Sequence, residues 1–375
     1  MVKTKNQSTI IGIEDYDPQE MFVLLDSPYK EKILVAALKK AGSQSKLSNL
    51  IRENLRYPLM RQSTVSYLIK KETLRLDLAR WLCAFTGIPF DQKRIIGLKG
   101  SQTSGMLLDP NLEISLSPEL AQIVANLYCD GTIHAFNHIG TYYNNYIELI
   151  DRFERNVNKV FGTIKLPRFR TNVHAINIPA FLGKMICHKF HLREDRVPPQ
   201  IQAASPSIKA AYLQAAFDDE GGVHKSHGQI RIKMKPQSYI EDIWALVREF
   251  DIEISEIFRE TDRRNGREYH YFLISGIRNL RKFHENIGFY HPIRRKIVLS
   301  HIANVKMENY GYNARYLVLS TLRKNGNLTA KEIAERIKRG KRTVHQHLRK
   351  LRREQLVEFS RAKRRFVYEY IWKVV

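Results

Sequence analysis

The sequence predicts an α+β protein whose central domain is built from two copies of one αββαββα unit. The main observation is that residues 117–306 run through the same succession of segments twice, with a different pattern on either side. A chain of 375 residues is long enough for two or three domains, and 43% hydrophobic residues supply material for their cores. We divide the chain into a tail at 1–26, an all-α domain at 27–100, a linker at 101–116, the repeated domain at 117–306 and a last domain at 312–375.

The charge of the chain indicates a polyanionic partner. The net charge is +24, and residues 315–375 hold 18 lysines and arginines against 5 glutamates. The first residues contain no apolar secretion segment, and no apolar run approaches the ~20 residues that span a bilayer. We therefore expect a cytoplasmic protein, associated with the nucleoid in a prokaryote, and no membrane partner. Cys83, Cys129 and Cys187 form neither a disulfide framework nor a zinc pair.

The two copies are clearest at their first helices. The first copy begins SPELAQIVANLYCDGTIH and the second begins SPSIKAAYLQAAFDDEGGVH. In each, a Ser-Pro helix start leads through apolar and small residues to an acid followed by glycine. The acids are Asp130 and Glu220. A second repeated sequence, Tyr-Ile-Glu, begins at Tyr146 and Tyr239. These tyrosines are slightly farther apart than the two acids, which predicts a small insertion between the acid and the tyrosine in the second copy. Two repeats of ~90 residues are too long for a solenoid and predict one pseudo-two-fold domain.

Between the acid and the second helix, the second copy reads QIRIKMK. Its apolar residues alternate with basic ones, which predicts a strand with one apolar and one basic face. A hairpin and a closing helix follow, which completes the αββαββα order. The apolar residues are Ile230, Ile232 and Met234, and the basic residues, which suit a polyanionic partner, are Arg231, Lys233 and Lys235.

The segments IVANLYCDG and LQAAFDDEG, which end at Gly131 and Gly221, resemble the motif of the LAGLIDADG (DOD-type) homing endonucleases. The resemblance covers residues 117–306. It implies that the two motif helices pack along the pseudo-two-fold axis and that the basic strands lie in the DNA major groove. The motif departs from the family at Tyr128, where the family has its earlier acid, although Asp218 keeps that acid in the second copy. The small residues that would allow close helix packing are Ala125, Ala211, Ala215 and Ala216.

The resemblance also implies that Asp130 and Glu220 are catalytic and bind Mg²⁺, with Mn²⁺ as an alternative. Electrostatics agrees, because a carboxylate at a helix C-terminus faces the negative end of the helix dipole and a second carboxylate nearby raises its pKa. A hard cation relieves both effects and could support phosphodiester hydrolysis. The alternative is that the acids are relics without metal. Basic residues that follow each hairpin are active-site candidates by position, although a phosphate-positioning or solvated role is favoured over a catalytic one for each: Lys184, Lys189, Arg294, Arg295 and Lys296.

The region 27–100 has helical spacing of its apolar residues. Its run RQSTVSYLIKKE resembles the recognition helix of the five-helix repressor-type helix-turn-helix family, at residues 63–70. Ser63 and Thr64 would then reach base edges. The alternative is a small helical bundle that binds protein.

The last domain has a third pattern. Thr329 and Glu332 form a capping box at a helix start, and a short turn leads into the basic amphipathic segment RTVHQHLRKLRREQLV. Strands EFSR and RFVYEYIW follow, joined by a turn through Ala362 and Lys363. This order resembles a winged helix-turn-helix domain, whereas a merely solvated charged helix would not explain the cap and the hairpin. The expected DNA contacts are Lys341, Arg342, His345 and Arg349 on the recognition helix and Arg361, Lys363 and Arg364 at the wing.

Two hypotheses about function follow, and both require site-specific binding of double-stranded DNA. The first is a Mg²⁺-dependent homing-type endonuclease that works as a monomer, and the retained acids favour it. The second is a transcription regulator on a captured LAGLIDADG scaffold, as in a bacterial sporulation-regulator family, and the modules at both ends favour it. RNA binding or intron splicing is a third, weaker hypothesis. No splicing-junction blocks are apparent at the ends, so we do not expect an intein.

Overall fold

The chain forms two compact units, residues Met1–Ile302 and Ala303–Val375. The computed structural model describes residues 9–55, 65–66, 70–100, 105–170, 172–226, 228–262, 266–304, 314–364 and 367–375. Helices and strands are both abundant, which confirms the predicted α+β class. None of the helices in these ranges is long and apolar enough to cross a lipid bilayer.

The N-terminal region of the first unit contains a sheet as well as helices. Strand β2 lies inside an antiparallel sheet of order β3-β2-β4-β5, and β1 pairs with β6. Asp26 caps the first helix, because its carboxylate accepts a hydrogen bond of 2.9 Å from the backbone N–H of Tyr29. The elements are β1 Thr9–Gly12, β2 Phe22–Leu25, α1 Ser27–Ala41, α2 Gln44–Leu55, β3 Thr73–Arg75, α3 Leu76–Thr86, β4 Ile95–Lys99, β5 Leu107–Leu108 and β6 Glu113–Ser115.

Three predictions for this region are therefore wrong. The region 27–100 is not all-α, and the supposed tail and linker both contribute strands. These strands have only two to five residues, too few for a visible alternation, and their pairing partners lie far away in the chain. Ser63 and Thr64 lie outside the described residues, so the predicted recognition helix is described only at Val65, Ser66 and Lys70.

The repeated region has the predicted order of elements. The first copy comprises α4 Pro118–Tyr128, β7 Gly131–Ile133, β8 Gly140–Asn144, α5 Ile147–Phe161, β9 Arg168–Arg170, β10 His174–Ile178 and α6 Ala180–Lys189. After a short helix, α7 Pro199–Gln202, the second copy comprises α8 Pro206–Glu220, β11 Gly221–Val223, β12 Ile230–Met234, α9 Gln237–Arg248, β13 Phe258–Thr261, β14 Glu268–Ile274 and α10 Ile277–Asn286. Helix α11 Pro292–Asn304 follows. The sheets have matching orders, β7-β8-β10-β9 and β11-β12-β14-β13.

The second copy contains extra residues, but they do not lie before Tyr239, where the repeated Tyr-Ile-Glu sequence predicted them. Strands β7 and β11, strands β8 and β12, and helices α5 and α9 all begin 90 positions apart. Tyr146 therefore corresponds to Pro236 and not to Tyr239, so the Tyr-Ile-Glu echo was a misleading match. The extra residues lie later, because His174 pairs with Asn144 whereas His270 pairs with Met234. They lie in the hairpin itself, because Phe169 pairs with Ala175, six positions on, whereas Phe258 pairs with Tyr271, thirteen positions on.

Each four-stranded sheet has a buried face and an outer face. In β12 the residues alternate as predicted, with Ile230, Ile232 and Met234 buried and Arg231 and Lys233 partly exposed on the other side. Directly paired residues share a face. The outer face of the second sheet therefore carries Arg231, Lys233, Phe258, Glu260, Tyr269, Tyr271 and Leu273, and the outer face of the first carries Thr132, Thr141, Tyr143, Phe169, Ala175 and Asn177.

The second unit has the predicted helices and hairpin. Its capping box is present, because Thr329 Oγ1 accepts from the Glu332 N–H at 3.2 Å and Glu332 Oε2 accepts from the Thr329 N–H at 2.7 Å. The pairing of Arg364 with Val367 places Ala362 and Lys363 within a strand, so the predicted turn through them is wrong. The elements are α12 Ala314–Asn325, β15 Leu328–Thr329, α13 Ala330–Arg336, α14 Lys341–Arg353, β16 Val357–Arg364 and β17 Val367–Val374, in a sheet of order β15-β17-β16.

Candidate carboxylate site and nucleic-acid interface

The two motif helices, α4 and α8, pack together more extensively than any other helix pair in the described residues. Small side chains on both helices, including Ala125 and Ala215, are fully buried, which permits the close approach. Polar side chains also meet across the pair. Gln122 Nε2 donates to Gln214 Oε1 at 3.2 Å, and Asn126 Nδ2 donates to Asp219 Oδ2 at 2.7 Å. The helix ends of the two copies are therefore held in a fixed relation to each other.

The acid-Gly sequence lies at the C-terminal end of each motif helix. Helix α4 ends two residues before Asp130, whereas α8 continues through Glu220. A Cβ atom on Gly131 would lie 2.5 Å from Leu127 Cα, and one on Gly221 would lie 2.4 Å from the Phe217 carbonyl oxygen. Glycine is required after each acid because the chain turns back against its own helix. The turn places both acids at the same end of the helix pair.

Burial and nearby charges shift the pKa values of both Asp130 and Glu220. Burial raises the pKa of Glu220 to about 7, and the negative charge of Asp130 adds to this rise while Arg294 opposes it. Burial also raises the pKa of Asp130, against the lowering effect of Arg294. Asn144 Nδ2 donates a hydrogen bond of 3.3 Å to Asp130 Oδ2. Both carboxyl groups are partly exposed, so they form a destabilised acidic pair that solvent and ions can reach.

Two further acids, Asp218 and Asp219, precede Glu220 and are buried. Asp218 forms an ion pair of 2.9 Å with Arg152 of the first copy, and both side chains are almost completely buried. Asp219 accepts hydrogen bonds from Asn126 and also from Tyr142, whose hydroxyl lies 2.8 Å away. Burial raises the pKa of Asp219 well above its usual range. These acids connect the two copies rather than face solvent.

Arg294 closes the site from helix α11. Its guanidinium donates to the carbonyl oxygens of Phe217, at 3.0 Å, and of Asp218. Asp130, Asn144, His291 and Arg294 are among the residues that line a polar cavity of about 280 Å³. Burial, helped by the nearby Arg294, lowers the pKa of His291 to about 4, so this imidazole is neutral at physiological pH. Of the predicted basic residues, Arg294 is therefore located at the site, although its donors are engaged with helix-end carbonyls.

The other predicted basic residues lie elsewhere. Lys184 forms an ion pair of 2.7 Å with Glu20, and Lys189 forms one of 2.6 Å with Asp15. Neither lysine lines the polar cavity, and their assignment to the active site stays a prediction. The sequence could not reveal this, because the acids that hold both lysines belong to the N-terminal region. Arg295 and Lys296 are exposed on α11 and do not line the cavity either.

The outer face of the second sheet is basic and aromatic. Arg231 lies over the ring of Tyr271 at 4.7 Å, and the Lys233 ammonium lies over the ring of Tyr269 at 4.6 Å. Glu260 pairs with both cations, at 3.5 and 3.2 Å. The predicted residue Lys235 follows the strand and is exposed. The rings hold the two cations on the outer face, where they can approach a phosphate or a base edge.

In the second unit, the predicted DNA-contacting residues of α14 lie together. At 100° per residue, Lys341, Arg342, His345 and Arg349 fall within one arc of the helix, beside the buried stripe of Val344, Leu348 and Leu351. Arg361 is exposed on β16, whereas the side chains of Lys363 and Arg364 lie outside the described part of the structure. The four residues of α14 therefore form one continuous basic surface.

Several residues at the site were not anticipated from the sequence. Arg152, Tyr142, Asn144 and His291 contact the acids or line the cavity beside them, yet each lies in a segment whose pattern indicated only a helix, strand or loop. A buried arginine on the apolar side of α5 was the only available signal. Within the described residues, no group of three or more histidine, cysteine, aspartate or glutamate side chains could hold a metal ion. A cation held by Asp130 and Glu220 would therefore need water or phosphate oxygens to complete its shell.

Comparison with known families identifies two of these regions. Residues 207–288, the second copy, match the LAGLIDADG-like domain, and residues 314–358 match the winged helix-turn-helix DNA-binding domain. Among curated proteins, the chain is similar to a glutamine--fructose-6-phosphate aminotransferase of Methanocaldococcus jannaschii, at 24% identity over 72% of this chain and 24% of that protein. It is also similar to a replication factor C small subunit of the same organism, at 27% identity over 47% of this chain and 10% of that protein.

The chain thus spans about a quarter of the length of the first relative and a tenth of the second. Similar solved structures include full-length DUF199/WhiA from Thermatoga maritima, at 11% identity, 64% of this chain, 92% of that chain and a TM-score of 0.35. The homing endonuclease I-DmoI in complex with DNA and Ca is another, at 13% identity, 50% of this chain, 98% of that chain and a TM-score of 0.37. Values this low carry no functional argument. From the two family matches and the repeat, the chain combines a LAGLIDADG-like domain with a winged helix-turn-helix DNA-binding domain.

Proposed function

We propose that this protein binds a specific site in double-stranded DNA and hydrolyses phosphodiester bonds there with a divalent cation at Asp130 and Glu220. The observation that carries the proposal is this pair of carboxylates, partly exposed at the adjoining ends of two packed helices. Burial raises both pKa values, and the charge of Asp130 raises that of Glu220 further, so the pair is unstable as two free anions. A cation that neutralises both would remove that cost.

The donor chemistry fits Mg²⁺ or Mn²⁺, which prefer carboxylate oxygens and complete their shells with water and phosphate oxygens. Two protein ligands are enough for such a site when the substrate supplies the rest. A bound cation would supply positive charge for the phosphate during hydrolysis. Around it, Asn144 orients Asp130, and Arg294 holds the carbonyl ends of α8 in place. Both residues position the acids; neither is assigned a role in bond breaking.

A regulator without cleavage activity is the second candidate, and one observation favours it. Arg294, the basic residue that lines the cavity, is engaged with backbone carbonyls, and Lys184 and Lys189 are paired with acids of the N-terminal region. The described part of the cavity therefore offers no uncommitted cation to a phosphate. The basic surface of α14 and the outer face of the second sheet would suffice for binding alone.

The deciding experiment selects bound sites from random duplex DNA and then incubates the selected sites with protein and Mg²⁺ or Mn²⁺. We expect cutting of both strands by the wild-type protein and none by Asp130→Asn or Glu220→Gln. Both variants should bind at least as tightly as wild type, because a negative charge beside the phosphates is removed. Glu285→Gln, which removes an exposed carboxylate from α10, serves as the matched control and should cut normally.

Two outcomes separate the candidates. Tight binding to a selected site that stays intact with either cation contradicts cleavage and leaves the regulator. Cleavage by both carboxylate variants contradicts the assignment of Asp130 and Glu220. We further propose that one chain covers the whole site as a monomer, because the two copies supply the two-fold relation themselves. Sedimentation of the protein–DNA complex measures this directly.

A further inference from the structure

The two outer faces share one exposed residue at the same structural position. Phe169 lies on β9 and is 40% exposed, and Phe258 lies on β13 and is 41% exposed. Phe169 is directly opposite Ala175, and Phe258 is directly opposite Tyr271. In both copies the next residue along the edge strand is an arginine that pairs with a histidine, Arg170 with His174 and Arg259 with His270. The two phenylalanines are therefore equivalent by register.

An isolated exposed apolar residue needs no explanation, but this pair differs from that case. The outer faces have diverged at their other paired positions: Tyr143 corresponds to Lys233, and Ala175 corresponds to Tyr271. Each ring packs against a tyrosine of its own outer face, Phe169 against Tyr143 with centroids 6.5 Å apart and Phe258 against Tyr271 at 5.4 Å. Both copies therefore hold a phenylalanine in place at the same position and leave two fifths of its surface exposed to a partner.

We propose that Phe169 and Phe258 are paired readers of thymine, each placing its ring against the 5-methyl group of a thymine in the major groove of one half-site. This inference rests on the proposed binding of duplex DNA and adds a specificity to it. The methyl group is the apolar feature of the major-groove edge, and phenylalanine is one of the side chains that contacts it. In the second copy, the neighbouring Arg231 and Lys233 supply positive charge to the surface around Phe258.

Stacking on unpaired bases is the alternative use of such a surface, and the geometry argues against it. A stacking platform needs accessible ring faces. Tyr271 and Tyr269 have one ring face covered by Arg231 and Lys233. In addition, two readers related by a pseudo-two-fold match the antiparallel strands of a duplex, whose half-sites have the same symmetry, whereas a single strand has none. The pair therefore predicts two thymines at equal distances from the centre of the site.

The experiment uses the full chain, in EDTA so that no cleavage occurs, and the duplex site selected by the protein. Each thymine is replaced in turn by deoxyuridine, which removes only the methyl group. We expect two positions, one in each half-site and equally far from the centre, where the replacement weakens binding about fourfold, as expected for one buried methyl group. Phe169→Ala should abolish the effect at one position and Phe258→Ala at the other, each leaving its counterpart intact.

Val35→Ala is the control, because it shortens an exposed apolar side chain on α1, outside both sheets. It should keep the methyl dependence at both positions. The melting temperatures of all three variants should lie well above the temperature of the binding assay, although loss of the ring contacts lowers those of the phenylalanine variants. Methyl dependence that persists in the phenylalanine variants would overturn the inference, as would tolerance of every replacement. So would variants that lose affinity for oligo(dT) but not for the duplex, since this would indicate stacking. Failure to select any duplex would contradict the proposed function as well.

Discussion

The two copies of the repeat have the same fold but differ in the charges and the contacts of their exposed surfaces. The second copy carries the basic outer face, the run of three acids and the match to the LAGLIDADG-like domain. The outer face of the first copy carries no charged residue among the described residues, and its helix α6 is tied to the N-terminal region through Lys184 and Lys189. The comparison shows that a fold can be conserved by its buried faces and helix ends while the exposed faces diverge freely.

The copies are also joined by an ion pair that neither could form alone, and breaking it should have the largest effect. Arg152→Met leaves Asp218 buried without its partner, which should cost about 3–5 kcal/mol of the free energy of unfolding. Arg168→Met removes an arginine that pairs with Asp151 within the first copy at 38% exposure and should cost at most about 1 kcal/mol. Chemical denaturation measures both. Adding Asp218→Asn to Arg152→Met should restore much of the lost stability. Equal effects of Arg152→Met and Arg168→Met would contradict the importance of the buried ion pair between Arg152 and Asp218.

The difference between the outer faces predicts unequal effects on DNA binding. Arg231→Ala in the second copy should cost about 1–3 kcal/mol of binding free energy, concentrated at one base position, if the guanidinium reads a base. Tyr143→Ala on the first copy's outer face should have a smaller effect. Binding to a panel of single-base variants of the selected site measures both. Uniform weakening across the panel would make Arg231 a phosphate contact instead.

The acid pair predicts a pH dependence of stability. Glu220 has a folded pKa of about 7, above the ordinary 4.5, so the folded state holds its proton more tightly than the unfolded state does. The free energy of unfolding should therefore fall as the pH rises between these values. At pH 8, Glu220→Gln should be more stable than wild type by about 1–2 kcal/mol, a figure reduced for partial exposure. Chemical denaturation of both proteins at pH 5 and pH 8 tests this. Saturating Mg²⁺ should narrow the difference in stability between Glu220→Gln and wild type at pH 8. A stability gain of Glu220→Gln that is equal at both pH values would contradict the prediction.

The smallest effect concerns the lysines of the first copy. Lys184→Met and Lys189→Met disrupt exposed ion pairs and should each change the free energy of unfolding by at most about 1 kcal/mol. DNA affinity and any cleavage rate should stay within about twofold of wild type, which is less than ~0.5 kcal/mol. A loss of cleavage at unchanged stability would return either lysine to the active site.

The parts of the fold that were predictable depend on local chemistry. Alternation in β12, the capping box at Thr329 and the acid-Gly helix ends each involve neighbours within a few residues, so the sequence displays them directly. The N-terminal sheet was missed because its strands are short and most of them pair with segments that are distant in the sequence. The Tyr-Ile-Glu echo failed because it compared residue types, whereas equivalence between copies is set by strand register.

The two acids of the site were predictable from local sequence, whereas the residues around them were not. Asp130 and Glu220 were visible because each ends a helix in a repeated pattern, but their surroundings come from several elements. Arg152 reaches Asp218 from the other copy, and the partner acid of Lys184 lies 164 residues away. Side chains brought together by packing at such separations leave no periodic signal. Arg168 and Asp151 pair within one copy and are closer in sequence. The contribution of this ion pair to stability still depends on the solvent exposure of the two side chains, which the sequence does not display.

The unequal outer faces give the molecule a polarity. A symmetric dimer placed on a duplex reads the same from either end, and turning it around changes nothing. Here the basic face lies on one side of the pseudo-two-fold and the uncharged face on the other. The protein therefore has a left and a right end on DNA, and a single site defines an orientation for everything else the chain carries.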